Sequence, residues 1–263
     1  MSGNIHPTAV IDPKAELASD VEVGAYAVIG PQAKIGSGTK IWHHASIWGN
    51  TSIGKDCQIF PFASIGMQTQ DLKFKGGNPG VKIGDRNVFR EYVSINAATN
   101  DGDFTEIGND NLLLAYGHVG HCCKLGNNII ASNGVAFAGH VVVEDHAGIG
   151  GGGTGIHQFC HVGRHCFIGG CSKVEQDVPP FMLADGNPAK IRMFNKVGLE
   201  RAGYTPEQMS AIKFIFRTFY RQGLNRQQAI EAIKSSSFAD TQEAKSYIAF
   251  AESSERGLAG GNK

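Results

Sequence analysis

Within "LLLAYGHVGHCCKLGNN", positions 112 to 128, His118, His121, Cys122 and Cys123 fall inside six residues. Side chains of these types, so close together, can hold a metal, exchange disulfides, or supply an imidazole as general base. His140, His146, His157, His161 and His165 follow within two further stretches of similar length. The cysteines lack C-x-x-C spacing, so a thiolate zinc site is not expected. Choosing among the remaining chemistries requires knowing which of these residues share an edge of the fold.

The chain has 263 residues, enough for one large domain, alone or with a small one. Twenty-four basic and 24 acidic residues balance, which argues against a surface built on nucleic-acid phosphates. No apolar run reaches the ~18 residues of a membrane span. The opening "MSGNIHPTAV" lacks the layout of a signal peptide. Six cysteines without export signals read as reduced thiols. A soluble cytoplasmic protein is expected.

Glycine, at 35 residues, is roughly twice its ~7% average usage, and the repeat explains it. From Ile5 an aliphatic residue returns every six positions: Ile11, Leu17, Val23, Ile29, Ile35, Ile41, Ile47, Ile53, Ile59 and Ile65. Four residues after each comes a small one, such as Ala9, Ala27, Thr39 or Cys57. "DLKFKGGNPGVK", 71–82, interrupts for two hexads, and the phase resumes at Ile83, Phe89, Ile95 and Ile107. One extra residue at Gly155 shifts the frame before Ile156, Val162, Ile168 and Val174. A period of six fits neither helix nor alternating strand. It predicts an all-β parallel β-helix of triangular coils, with Gly or Asn at the corners. The expected domains are a β-helix over 1–186, with a loop inserted near 67–82, and a small α-helical C-terminal domain over 187–263. Thr205 with Pro206 and Gln208 predicts one helix start, Asn225 a second and Asp240 a third, the last helix ended by Gly257.

In this register Cys57, Cys123, Cys160 and Cys166 occupy the small inward position and read as core. Since one coil is 18 residues, His121, His140 and the pair His157–Gln158 fall along one edge, about a coil apart. A row of imidazoles on one edge predicts a shared site.

These residues, with "QDLKF", "IGDRNVFRE", "GNDNLLLAYGHVGHC", "HQFCHVG", "GGCSKVEQDVPPF" and "GNPAKIRMFNKVGL", resemble the UDP-N-acetylglucosamine O-acyltransferases. That family takes an acyl chain from acyl carrier protein at the first step of lipid A biosynthesis. The resemblance covers nearly the whole chain. It implies a left-handed coil, a homotrimer with active sites between subunits, and no cofactor beyond the phosphopantetheine carried by the acyl donor. It implies that His121 is the general base and that the Gly139 N–H receives the oxyanion. His118, His140, His157 and Gln158 would line the cleft, and Asp71 and Lys73 would reach into a neighbouring subunit's cleft. Asn195 and Arg201 would contact the nucleotide, and Gly170 would limit the acyl tunnel. Lys213, Arg217 and Arg221 offer basic charge to the acidic carrier.

The chain departs from the family in three places. Cys122 stands where an acidic residue usually orients the imidazole. "NAATNDG" replaces a His-Arg-Gly-Thr run after Ile95, and Val197 and Ala202 replace charged nucleotide contacts. These leave open a 3-amino acceptor sugar, giving an amide. Other readings on the same fold are a zinc enzyme of the carbonic anhydrase type, which the four-residue spacing of His161 and His165 does not match, and a non-catalytic scaffold. The sister N-acyltransferase carries an additional N-terminal domain, for which repeats starting at Ile5 leave no room.

Overall fold

The computed structural model describes residues 5–261. Short strands, most of them two residues long, recur with the hexads, and the large aliphatic closes each one: Val28–Ile29, Lys34–Ile35, Lys40–Ile41. Alternate side chains of a strand point to opposite faces. Lys34 and Lys40 therefore lie exposed while Ile35 and Ile41 are buried. Each strand pairs in parallel with the one a full coil on, as Lys124–Leu125 does with Val142–Val143. Three sheets result among the described residues, of nine, eight and ten strands. They are the flat sides of a triangular prism. Face one runs from Val10–Ile11 to Lys173–Val174, and face two from Glu16–Leu17 to His161–Val162. Face three starts at Glu22–Val23 and ends on Lys190–Phe194, which pairs antiparallel with Met182–Asp185.

The aliphatics stack inside from Val23 onward. Ile5, in the first of the described coils, is 45% exposed and bridges only to Val23 among the described residues. The small positions are buried too, including Cys57, Cys123, Cys160 and Cys166. Burial pushes the Cys123 thiol up to about 12 and that of Cys160 to about 11, so neither is a thiolate near neutrality. Asn111 occupies one such position without loss, because its Nδ2 donates to Gly126 O and its Oδ1 accepts from Ile129 N.

Three features differ from the hexad pattern as read. The first interruption is a loop over residues 68–79, and Ile83 pairs with Ile53, 30 positions back instead of 18. A second excursion, over 97–103, also leaves the coil and adds six residues to it, since Ile107 pairs with Ile83, 24 back. Stepping from Ile95 to Ile107 passes over it without breaking phase. The extra residue is absorbed before Gly155, in a corner where Gly152 and Gly153 both take positive φ, and Gly155 itself pairs in a strand.

The corners also differ from expectation. The left-handed residue is seldom Gly or Asn: it is Tyr26, His44, Phe62, Tyr92, Tyr116, Cys122, His140 or Phe159. Such a conformation costs roughly 1–2 kcal/mol for an L-residue. Coil stacking offsets that cost. Tyr116 N donates to Glu91 O and His140 N to His121 O, and the rings of Phe62, Tyr92 and Tyr116 stack 5.0 Å apart.

Beyond the sheet come α1 (Lys196–Arg201), α2 (Pro206–Arg221), α3 (Arg226–Lys234) and α4 (Gln242–Ser253). Thr205 and Asn225 both form capping boxes, with Gln208 and Gln228. The short α1 carries no apolar periodicity long enough to signal it. Helix α4 starts after Thr241 and stops at Ser253, before Gly257. Ser254 there donates to Asp177 Oδ2 at 2.6 Å, tying the tail back to the coil.

Candidate active site

Both excursions leave from one corner of the prism, where face one passes into face two. The same corner carries Gly120–Cys123, Ala138–Val141 and His157–Cys160 in successive coils. A cleft of ≈ 770 Å³ lies against it, lined by Asp71, Lys73, His118, His121, His140 and Gln158 among others. The structure thus brings together most of the residues picked from the sequence. Gly139 and His157 also line it.

The register of the histidine row is one residue finer than coil counting suggests. His121 lies over Gly139, whereas His140 stacks on Phe159 with centroids 4.6 Å apart. A Cβ on Gly139 would come 2.2 Å from both Cε1 and Nε2 of His121. The imidazole fills space that any other residue at 139 would occupy. The Gly139 N–H donates to nothing among the described residues, leaving it free for an anionic oxygen beside that ring.

His121 is 7% exposed, and its Nδ1 lies 3.1 Å from Thr99 Oγ1. Thr99 in turn donates to Asp71 Oδ2 at 3.0 Å. The same Asp71 oxygen is 3.8 Å from His121 Nδ1. The Lys73 N–H on Oδ1, above all, holds the Asp71 carboxyl below its usual range, helped by the Thr99 hydroxyl and the charges of His121 and Lys73 against partial burial. His118 Nδ1 pairs with Ser94 Oγ at 2.8 Å. Burial, with the neighbouring His121 charge, lowers the pKa of both His118 and His140. These two rings are therefore favoured in their neutral form.

Thr99 was not legible as a site residue. Its signals were the missing hexad between Ile95 and Ile107 and the threonine that "NAAT" keeps from the His-Arg-Gly-Thr run. Loop 68–79 folds over its own chain's corner, so Asp71 and Lys73 face the same chain's cleft. Gly170 lies at a different corner, between faces three and one, beneath Gly151. Asn195 and Arg201 do not line the cleft. Asn195 caps α1, its Oδ1 accepting from Gly198 N and its Nδ2 donating to His165 O. His161 and His165 are separated as well, the former 3.1 Å from Glu144 and the latter stacked on His146.

Only one group among the described residues could hold a metal. The ligating atoms of His121, Cys122 and His140 lie within 4.8 Å of one another. Cys122 comes near the histidines because it and His140 take the same left-handed corner position in adjacent coils.

The helical region matches the model of the "Udp N-acetylglucosamine O-acyltransferase; Domain 2" family over residues 177–259. The acyl-[acyl-carrier-protein]–UDP-N-acetylglucosamine O-acyltransferase of Janthinobacterium sp. is 50% identical over 258 residues, 97% of this chain and 98% of its own. The chain belongs to that family. A Synechocystis protein of the same name is 49% identical over 180 residues, 68% of this chain and 65% of its own. The solved LpxA of Acinetobacter baumannii superposes with TM-score 0.94 at 41% identity, covering 98% of this chain and all of that one. The fold shared with this family is a left-handed parallel β-helix followed by C-terminal helices.

Proposed function

We propose the following reading of the site: His121 is the general base of an acyl transfer from acyl carrier protein to the 3-position of UDP-N-acetylglucosamine. The chain is an acyltransferase of lipid A biosynthesis. The juxtaposition of His121 with Gly139 carries the assignment of roles. A sugar hydroxyl is a poor nucleophile at neutral pH, and a neutral imidazole removes its proton as the oxygen attacks the thioester carbonyl. The new C–O bond forms, and the negative charge on the carbonyl oxygen meets the free Gly139 N–H. On collapse the C–S bond breaks and the proton on His121 passes to the pantetheine thiolate. No covalent acyl-enzyme and no metal are required.

His118, His140, His157 and Gln158, with Asp71 and Lys73, would hold the sugar, the pyrophosphate and the pantetheine arm. Their convergence on the cleft supports this. Asn195 and Arg201 are proposed for the nucleotide. A homotrimer would set another chain's edge against the cleft and bring Gly170 to the acyl end. Supporting it, Leu72 at the cleft loop is fully exposed, at 102%, an apolar side chain suited to burial against another copy. Helix α2 presents Lys213, Arg217 and Arg221 along one groove, fitting an acidic carrier protein. No helix among the described residues is long and apolar enough to cross a membrane, in keeping with a proposed cytoplasmic location.

The test supplies purified protein with a mixed pool of acyl carriers, UDP-N-acetylglucosamine and its 3-amino analogue, and reads products by mass spectrometry. An O-acylated sugar nucleotide is expected from the wild type and its near absence from His121→Ala. Normal turnover by that variant removes His121 from its role.

A further inference from the structure

The acidic residue that would orient the imidazole is absent, since Cys122 stands next to His121. The two excursions place Asp71 and Thr99 together at its Nδ1 instead. Thr99 is 5% exposed, and its hydroxyl has one proton and two acceptor sites. That proton goes to Asp71 Oδ2 at 3.0 Å, because an ionised carboxylate can only accept. Toward His121 Nδ1, 3.1 Å away, the Thr99 oxygen must then act as acceptor. The ring nitrogen that donates is Nδ1, and Nε2 keeps its lone pair.

We infer that Thr99 and Asp71 are positioning residues that fix the tautomer and orientation of His121 through a His121–Thr99–Asp71 chain. The inference rests on reading His121 as the base. It makes a specific division of labour: Thr99 touches no substrate, and Asp71 acts on the base as well as lining the cleft. When the acceptor's proton arrives on Nε2, the imidazolium keeps its Nδ1–H on Thr99, and the carboxylate behind it offsets the new charge without taking a proton. Bases are generally held this way by a third group. Here the two anchors are supplied by two separate loops. Thr99 is fixed by Ala97 N on Met67 O and Ala98 N on Gly80 O. Asp71 is fixed by its own N–H on Thr69 Oγ1 and by Lys73 N on Oδ1. Other ionisable groups at the ring are His118, His140, Cys122 and Lys73; among the described residues none of them hydrogen-bonds to Nδ1, which meets Thr99.

The experiment compares Thr99→Val, which keeps the shape and removes the hydroxyl, with Thr99→Ser, which keeps the hydroxyl. Thr99→Val should lower kcat about 10- to 100-fold, the scale seen when the outer hydrogen-bond partner of a metal-ligating histidine is removed, with KM for the sugar nucleotide little changed. Thr99→Ser should restore most of kcat. Should Thr99→Val lower the melting temperature, the Thr99→Ser and Thr99→Ala pair makes the same comparison. Thr99→Val with wild-type kcat, or with a raised KM alone, overturns the chain. His121→Ala separates the two readings. If it is inactive while Thr99→Val is fully active, the base assignment stands and the positioning chain falls. If His121→Ala is itself active, the base assignment falls.

Discussion

The His121 ring occupies the volume that a side chain on Gly139 would need, with a hypothetical Cβ only 2.2 Å from Nε2. Gly139 has ordinary backbone dihedrals, being absent from the positive-φ glycines, so alanine there brings no conformational penalty. Gly139→Ala should therefore leave the melting temperature nearly unchanged and displace the imidazole. A misplacement of about 1 Å can cost roughly 10²-fold in rate, and steady-state turnover beside a thermal melt would register that split. Full activity in Gly139→Ala would show that the ring need not lie where it does.

Charge on α2 is predicted to serve the carrier protein and not the sugar. Reversing Lys213 and Arg217 to Glu should raise KM for acyl carrier protein, and the difference should shrink as salt screens it over a Debye length of about 8–10 Å. A free acyl-phosphopantetheine donor should be used equally by variant and wild type. Equal losses with both donors would place the effect elsewhere.

Stability should fall in mild acid through His165. Burial, then the charges of His146 and Arg164, push its pKa from 6.5 down to about 4. Between those values the unfolded chain binds the proton and the folded chain does not, so stability declines as pH drops through that window. The full shift corresponds to at most about 3 kcal/mol, reduced by solvent at this partly exposed site. Urea unfolding midpoints at pH 7, 6, 5 and 4 should slope downward, and His165→Phe, which keeps a ring against His146 and Tyr204, should flatten the slope.

Proton transfer by a neutral imidazole needs no ion, although His121, Cys122 and His140 converge within 4.8 Å. Dialysis against a chelator should leave acyl transfer intact. Cys122→Ser should leave it intact as well, since Thr99 and not residue 122 meets Nδ1. Loss of activity on chelation, restored by one metal, would recast that trio as a resident metal centre.

The prism was legible because its driving pattern is local. One aliphatic and one small residue every six positions, as at Ile29 and Ala33, suffice to bury one side of each two-residue strand, and no long-range information is needed to count them. The capping boxes at Thr205 and Asn225 are local in the same sense. Coil counting also found the right edge for His121, His140 and Gln158.

What counting lost is instructive. An excursion that adds six residues preserves phase, so the loop that carries Thr99 passed unseen. Aromatic corners such as Tyr92 and Phe159 overturned the expectation of Gly or Asn, because ring stacking between coils is invisible in a single hexad.

The sequence alone determined the repeat, the inward cysteines and the edge on which the imidazoles lie, all consequences of short-range periodicity. Only the tertiary structure decided that Asp71 and Thr99, 28 residues apart, meet at one nitrogen of His121, and that its ring rests on Gly139. Those contacts depend on how two loops fold back across stacked coils, and no spacing along the chain encodes that distance.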